Sequence, residues 1–316
     1  MSENRKLSGE MPHACNCPLY QKTANVREEL SDEADESVEE SDESVEVDTM
    51  LSLVRSRSNL DERESEEFYI ATLQILDRLK IAFTGSLSLK PNLEERVVAS
   101  ASLGQKKLWS SKNLYRQLVL LEGQVPRTTD TSPRAWIEAF FFRASAMLPP
   151  DKHMVLIPVT AVSPPSSSNL CGLVDYVAVV ASQLISRMLM RDTQLHNLRM
   201  RMPTGFFVIE ADLSVPSHDL PQAVCRMYAC GKLLQKKVVR GGLTNGHDWI
   251  FVLVTLNDNY DGATFRWSPV VQFDIEKSLD GVLKVHHPWP DVIAAILLHW
   301  TENGFSDLGG DDWFEV

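Results

Sequence analysis

The sequence has few cysteines and no long apolar run. Its five cysteines are odd in number and follow no spacing typical of a disulfide framework, so a reducing compartment is favoured over secretion. No stretch approaches the roughly 18 consecutive apolar residues of a transmembrane helix, and no early apolar run follows a basic start. We therefore expect a soluble, intracellular protein of the cytoplasm or nucleus with no membrane contact.

Three catalytic signatures are also missing. The sequence has no GxxxxGK[ST] of a P-loop, no HExxH of a zinc hydrolase and no GxSxG nucleophile elbow. No acid or thiol stands at a spacing typical of a catalytic or metal-binding motif from His247, His286 or His287. If the chain has catalytic chemistry, its carboxylates are the better candidates.

The net negative charge of the chain comes entirely from its N-terminal part. The formal net charge is -12, and residues 1–67 alone contain 19 acids and 7 bases. Residues 1–60 lack periodic hydrophobicity, which predicts a disordered acidic tail. Its serines suit an acidophilic kinase: Ser31, Ser37, Ser41 and Ser44. The tail either keeps the protein soluble or folds back over a basic groove and inhibits polyanion binding.

The rest of the chain reads as a mixed α/β domain behind a helical extension. Apolar spacing predicts a helix over 64–82, and Ser132-Pro133 opens a second helix over 133–147. Apolar runs then predict strands at 153–160, 173–181, 205–213, 238–244, 248–256 and 264–273, with helical stretches between them and at the end. Asn245-Gly246 is a hairpin signal. We expect a tail over 1–60, a helical extension over 61–131 and a mixed sheet flanked by helices over 132–316.

Acids interrupt two of the apolar strands. Asp175 lies in LVDYVAVVA, and Glu210 and Asp212 lie in GFFVIEADL on one face of their strand. If the two strands are neighbours, these three side chains converge, and such oxygen ligands suit Mg²⁺ or Mn²⁺. The alternative is that Asp175 lies at a strand end and Asp212 at the exit to a loop, each hydrogen-bonded to backbone or water.

The helical stretch after the second acidic strand is basic. It places Gln222 and Arg226 one turn apart, and further cations follow near its C-terminal end: Lys232, Lys236, Lys237 and Arg240. Basic residues at a helix C-terminus complement the helix dipole. They are equally suited to contact the phosphates of a nucleic acid, and we assign this second role to Arg226, Lys236, Lys237 and Arg240.

These features together resemble the PD-(D/E)XK (restriction-endonuclease-like) nuclease superfamily, and in particular a fungal, mainly basidiomycete, branch. The resemblance covers about 132–273 and includes the tract GGLTNGHDWIF. It implies a mixed sheet flanked by helices and metal-dependent phosphodiester cleavage. It also implies that Asp175 and Glu210 are the metal-binding acids, that Gln222 is the helix glutamine, and that Glu138 is an additional helical acid.

One departure from the family pattern bears on activity. The superfamily has lysine two residues after the glutamate, where this chain has Asp212. Either Lys232 or Lys236 supplies the missing charge, or the site is degenerate. The sequence thus predicts a Mg²⁺- or Mn²⁺-dependent nuclease acting on DNA or RNA, or alternatively a nuclease-like module that binds nucleic acid or protein. A third possibility, a structural interaction protein of an unrelated α/β fold, would be supported if Asp175 and Glu210 lay far apart.

Deletion of the acidic tail tests whether it inhibits polyanion binding. Deleting residues 1–60 should strengthen binding of single-stranded oligonucleotides at low salt, because the deletion removes a competing polyanion. Titration by fluorescence anisotropy against the full chain measures this. Equal affinity of the two proteins at every salt concentration would contradict the inhibitory role.

Overall fold

A computed structural model describes residues 73–91, 93–127, 132–162, 172–193, 198–200, 203–211, 219–279, 281–311 and 313–316. All of them lie in one compact unit, Leu53–Val316. The predicted acidic tail and its serines fall outside these residues. No helix in the described ranges is both long enough and apolar enough to cross a membrane.

An eight-stranded mixed sheet forms the centre of this unit. Its seven main strands are β1 (Ile81–Ser86), β3 (Lys152–Val162), β4 (Gly172–Ser182), β5 (Gly205–Ala211), β6 (Val238–Thr244), β7 (Asp248–Leu256) and β8 (Ala263–Trp267). Their spatial order is β1-β8-β7-β6-β5-β4-β3, and the short β9 (Val271–Gln272) pairs with β7. The β5–β6 and β1–β8 pairs are parallel and the others are antiparallel.

Helices cover both faces of the sheet. Four of them share one apolar cluster with one face: α1 (Leu93–Ser102), α2 (Ser111–Gln124), α3 (Ser132–Met147) and α6 (Trp289–Glu302). The opposite face packs against α4 (Gln183–Leu189) and α5 (Leu220–Leu234). The predicted mixed sheet with helices on both faces is therefore confirmed.

Local chemistry fixes the ends of α5. Pro221 lies in its first turn, where the missing backbone N–H costs no hydrogen bond. At the other end Gln235 adopts a left-handed conformation with φ of 53°, and the N–H of Lys236 donates to the carbonyl of Gly231 at 2.9 Å. This is a typical helix C-cap, and it turns the chain directly into β6.

Small elements complete the described chain. β2 (Ser88–Leu89) pairs with β12 (Phe314–Glu315), and β10 (Ile275–Lys277) pairs with β11 (Leu283–Val285). A 3₁₀ turn covers Leu308–Gly310.

Several sequence predictions are confirmed at the level of elements. The predicted helix over 133–147 is α3, and the hairpin at Asn245-Gly246 joins β6 to β7. Gly246 has a φ of 89°, which an L side chain rarely adopts. The strands predicted at 153–160, 173–181, 238–244 and 248–256 are all present with nearly the same limits.

Other predictions require correction. The helix predicted over 64–82 continues only through residue 78 of the described chain, and Ile81 already begins β1. Because β1 pairs with β8, the stretch 61–131 is not purely helical and contributes an edge strand to the main sheet. The strand predicted over 264–273 is interrupted after Trp267, where Pro269 cannot donate a ladder hydrogen bond, and continues as β9.

Arg240 stabilises the fold from within, and the structure does not place it at the surface, where its predicted contact with phosphate would be made. Its side chain is 1 % exposed and forms an ion pair with the buried Asp311. It also donates to the carbonyl oxygens of Ser306 at 3.1 Å and Asp307 at 2.7 Å. The guanidinium lies 4.9 Å from the ring centroid of Trp300 on α6. These contacts attach the C-terminal segment to β6.

Replacing Arg240 with methionine should lower the free energy of unfolding by about 3–5 kcal/mol, because Asp311 would remain buried without its partner. Urea denaturation measures the change. Lys237→Met is the matched control, since Lys237 pairs with Asp258 on the exposed surface, and it should leave the midpoint unchanged. Equal effects of the two substitutions would contradict the assignment.

Candidate active site

Adjacent strands bring Asp175 and Glu210 together. In the antiparallel β4–β5 pair Tyr176 lies opposite Ile209, so the next residues along the same register are Asp175 and Glu210. Directly opposed residues point to the same side of a sheet. Oδ2 of Asp175 accepts a hydrogen bond from the backbone N–H of Ala211 at 3.0 Å, which fixes this carboxylate against the end of β5.

The acid pair lies on the face of the sheet that α5 covers. Side chains on β5 point alternately to the two faces of the sheet, so Glu210 points to the same face as Val208 and to the opposite face from Ile209. The side chain of Val208 packs in the same apolar cluster as α5. Glu210 is 4 % exposed, whereas Asp175 is half-buried. An ionised carboxylate in such surroundings requires a charged or donating partner.

Arg226 on α5 is that partner. Its Nη1 donates to Oε2 of Glu210, and both side chains are largely withdrawn from solvent. Oε1 of Glu210 is buried and has no hydrogen-bond donor among the described residues. Two ionised carboxylates cannot donate to each other, so Glu210 reaches Asp175 by a hydrogen bond only when one of them carries a proton.

The electrostatics favour a proton on this pair. Burial raises the pKa of Glu210 to about 8, the Arg226 guanidinium opposes this rise, and the charge of Asp175 together with its hydrogen bond adds to it. Near neutral pH the pair therefore holds a proton that a solvent-exposed glutamate would have lost. Such a perturbed acid beside a second acid is typical of catalytic and metal-binding sites.

Glu138, the third predicted metal ligand, lies elsewhere. Oη of Tyr176 donates to Oε1 of Glu138 at 3.2 Å, and Tyr176 packs in the cluster that contains α3 and α6. Neighbouring residues on β4 point to opposite faces, so Glu138 and Asp175 are on opposite sides of the sheet. Within the described ranges no group of three His, Cys, Asp or Glu side chains is arranged to hold a metal ion.

Gln222, another predicted catalytic residue, lies on the same helix as Arg226. It is half-buried on α5, one turn before Arg226 on the same side of the helix. Asp212, which stands where the superfamily has lysine, lies outside the described residues.

The lysines predicted to replace the motif lysine lie towards the other end of α5. Lys232 follows Arg226 by six residues, or about 9 Å along the helix, and its ammonium lies 5.4 Å from the ring centroid of Tyr228. The ammonium of Lys236 lies 4.9 Å from the ring of Phe305, and Lys237 pairs with Asp258 at 2.5 Å. Because β5 and β6 are parallel, the entry to β6 is at the opposite end of the sheet from Glu210. The structure does not bring these lysines to the acid pair.

Two of the four residues predicted to contact phosphate are instead bonded to carboxylates of the protein. Arg226 bonds to Glu210, as Arg240 does to Asp311. Lys236 and Lys237 remain at the surface, where Lys236 lines a cavity of about 230 Å³ together with Arg199. Contact of these two lysines with a polyanion stays a prediction.

Sequence reasoning missed the pairing of Arg226 with Glu210, although a signal was present. Arg226 stands between Val224 and Met227 in a helix whose buried side is apolar, as Glu210 stands in an apolar strand. Single charges of opposite sign in consecutive buried elements are candidates for one ion pair.

Comparison with known proteins adds no relative: no protein-family model matches this chain, and no curated protein matches it significantly.

The raised pKa of Glu210 predicts how stability depends on pH. An unfolded glutamate titrates near 4.5 and the folded one near 8, so between these values the folded state holds a proton that the unfolded state lacks. The free energy of unfolding should therefore fall as pH rises through this window, by at most about 1.4 kcal/mol for each pKa unit. In Glu210→Gln the fall should be smaller, as measured by urea denaturation at several pH values.

The exposed Glu95 on α1 provides the control. Glu95→Gln should reproduce the pH dependence of the unsubstituted protein. If Glu210→Gln also reproduces it, Glu210 does not hold the proton.

Proposed function

We propose that this protein is a metal-dependent nuclease of the PD-(D/E)XK superfamily that hydrolyses phosphodiester bonds of DNA or RNA. The observation that carries the proposal is the acid pair, Asp175 and Glu210, on adjacent strands. The mixed sheet with helices on both faces is what the resemblance implies, and it supports a restriction-endonuclease-like fold. Hydrolysis adds water across a P–O bond and leaves one phosphate end and one hydroxyl end.

The acid pair suits Mg²⁺ or Mn²⁺. Mg²⁺ is usually held by one or two carboxylates and completes its coordination with water and substrate phosphates, so a third protein acid is not required. Oε1 of Glu210 is buried without a donor in the described structure, so it would act as a ligand beside Asp175 once the pair has lost its proton. When bound, the ion would polarise a phosphodiester and lower the pKa of a water ligand.

We assign the charge of the missing motif lysine to Arg226. Its guanidinium contacts Glu210, whereas Lys232 and Lys236 lie towards the other end of α5. A guanidinium stays charged at every working pH and presents five N–H donors. One N–H orients Glu210, and others remain to stabilise negative charge that develops on a phosphate.

The same ion pair supports a second candidate. If the guanidinium of Arg226 neutralises Glu210 permanently, the site needs no metal ion, and the domain would bind nucleic acid without cutting it. The contact between Arg226 and Oε2 of Glu210, made inside the apolar cluster, favours this degenerate module.

Cleavage of labelled single- and double-stranded DNA and RNA in Mg²⁺ or Mn²⁺ tests the proposal. Asp175→Asn should reduce cleavage at least about 100-fold, since even outer partners of metal ligands are worth about 10–100-fold. Asp258→Asn, at an exposed aspartate, is the matched control and should cut normally. Cleavage that survives in Asp175→Asn would show that a different site, or a contaminant, cuts the substrate.

Arg226→Gln separates the two candidates in the same assay. In a nuclease it should lower the cleavage rate about 10²–10³-fold without abolishing Mn²⁺ binding, measured by calorimetry. In a degenerate module the unsubstituted protein would neither cut nor bind Mn²⁺. There, Arg226→Gln would gain Mn²⁺ affinity because Glu210 loses its cation.

A further inference from the structure

A second polar cavity, of about 210 Å³, lies beside the β6–β7 hairpin. Its lining includes Arg127, the first turn of α3 and hairpin residues Asn245, His247 and Asp248. Because Ala211 at the end of β5 pairs with Thr244 at the end of β6, the hairpin and the acid pair lie at the same end of the sheet. The first turn of α3 lines the cavity, whereas the acids lie on the α5 side of the sheet.

The floor of this cavity is tightly packed. The ring of His247 lies 4.0 Å from that of Trp136 and is stacked on Phe273 at 4.9 Å. A Cβ added to Gly246 would lie 2.3 Å from Cβ of Trp136, so only glycine lets the hairpin approach α3 this closely. Oδ1 of Asn245 accepts from the backbone N–H groups of His247 at 2.9 Å and Asp248 at 2.8 Å. The hairpin is therefore held rigidly against the helix.

Two buried polar atoms in the floor lack a protein partner. Nε1 of Trp136 and Nε2 of His247 make no hydrogen bond in the part of the chain that the structure describes, although the side chains are only 1 % and 8 % exposed. Burial, helped by the charge of Arg127, lowers the pKa of His247 to about 3, so its ring is neutral. Unpaired buried groups of this kind are costly, and they mark this floor as unusual for a packed core.

The charges of the cavity disfavour a simple anion as its ligand. Arg127 provides one cation, whose guanidinium lies 5.8 Å from the Trp136 ring and also pairs with Glu122. Asp248 and Asp274 provide two carboxylates in the same lining. A free phosphate would meet more negative than positive charge, so the ligand must present donors as well as acceptors.

The edge of a nucleobase has this combination. Guanine offers O6 and N7 as acceptors, which suit a guanidinium, and its ring and exocyclic N–H groups can donate to carboxylates. A cavity of about 210 Å³ is below the usual range for drug-sized ligands and has room for one base, not for a base pair. Enzymes that modify bases, and modules that bind single-stranded RNA, hold unstacked bases in such pockets.

We propose that this cavity binds one unpaired guanine of a single-stranded nucleic acid, through Arg127 on its acceptor edge and Asp248 and Asp274 on its donor edge. This inference rests on the proposed nuclease function and adds a substrate preference to it. A strand held there would cross the end of the sheet towards Asp175 and Glu210 on the other side.

Titration of the ¹⁵N-labelled full chain with guanosine monophosphate tests the inference without any cleavage. The indole N–H signal of Trp136, assigned through Trp136→Phe, should shift, and the other three nucleoside monophosphates should bind at least about tenfold more weakly. Arg127→Gln should weaken guanosine monophosphate about 10–100-fold. Arg199→Gln, an arginine of the cavity near Lys236, is the matched control and should not.

Three results would overturn the inference: no shift of the Trp136 signal at millimolar nucleotide, equal binding of all four nucleotides, or the same shift with inorganic phosphate alone. Asp175→Asn should bind guanosine monophosphate as the unsubstituted protein does. A chain that binds the nucleotide but never cleaves would therefore contradict the nuclease proposal and leave the base pocket standing.

Discussion

The burial of Glu210 beside Asp175 is the constraint that links the main elements of this domain. An acid on β5 can lie inside the apolar face only if a neighbour supplies a proton or a positive charge. Burial, together with the charge of Asp175 on β4, raises the pKa of Glu210, and Arg226 on α5 supplies a positive charge. The two strands and the helix are thus positioned by one polar cluster as well as by their apolar contacts.

The domain contains a second buried pair of an arginine and a carboxylate, Arg240 and Asp311, which has a different role. Arg240 and Asp311 are almost fully enclosed, and four backbone groups complete their bonding: Arg240 donates to two carbonyl oxygens, and Asp311 accepts from the N–H groups of Trp313 and Phe314 at 2.7 Å. The Glu210–Arg226 pair, by contrast, leaves Oε1 of Glu210 and Nε of Arg226 without partners in the described structure. A saturated pair holds a fold together, whereas an unsaturated one can still bind a ligand.

The sequence predicted those helices, strands and turns whose positions depend on local residue patterns. Proline and serine at the start of α3, the apolar runs of β4 and β5, and Asn245-Gly246 each act within a few residues. The pairing of β1 with β8 joins residues about 180 positions apart and depends on the whole packed sheet, so no local pattern indicates it. The convergence of Asp175 and Glu210 was foreseeable because their strands are consecutive, whereas the position of Arg226 depends on how α5 packs.

Competition for the acid pair connects the two candidate functions. A proton, the guanidinium of Arg226 and a divalent cation all stabilise the same two carboxylates, and each weakens the binding of the others. The protein cation is tethered, so it acts at a high effective concentration, whereas the divalent ion must displace at least the proton. The pair functions as a metal site only if Arg226 can keep its bond to Oε2 while the metal ion takes Oε1 and Asp175. The single contact between Nη1 and Oε2 leaves Oε1 open for this, and a bidentate contact would not.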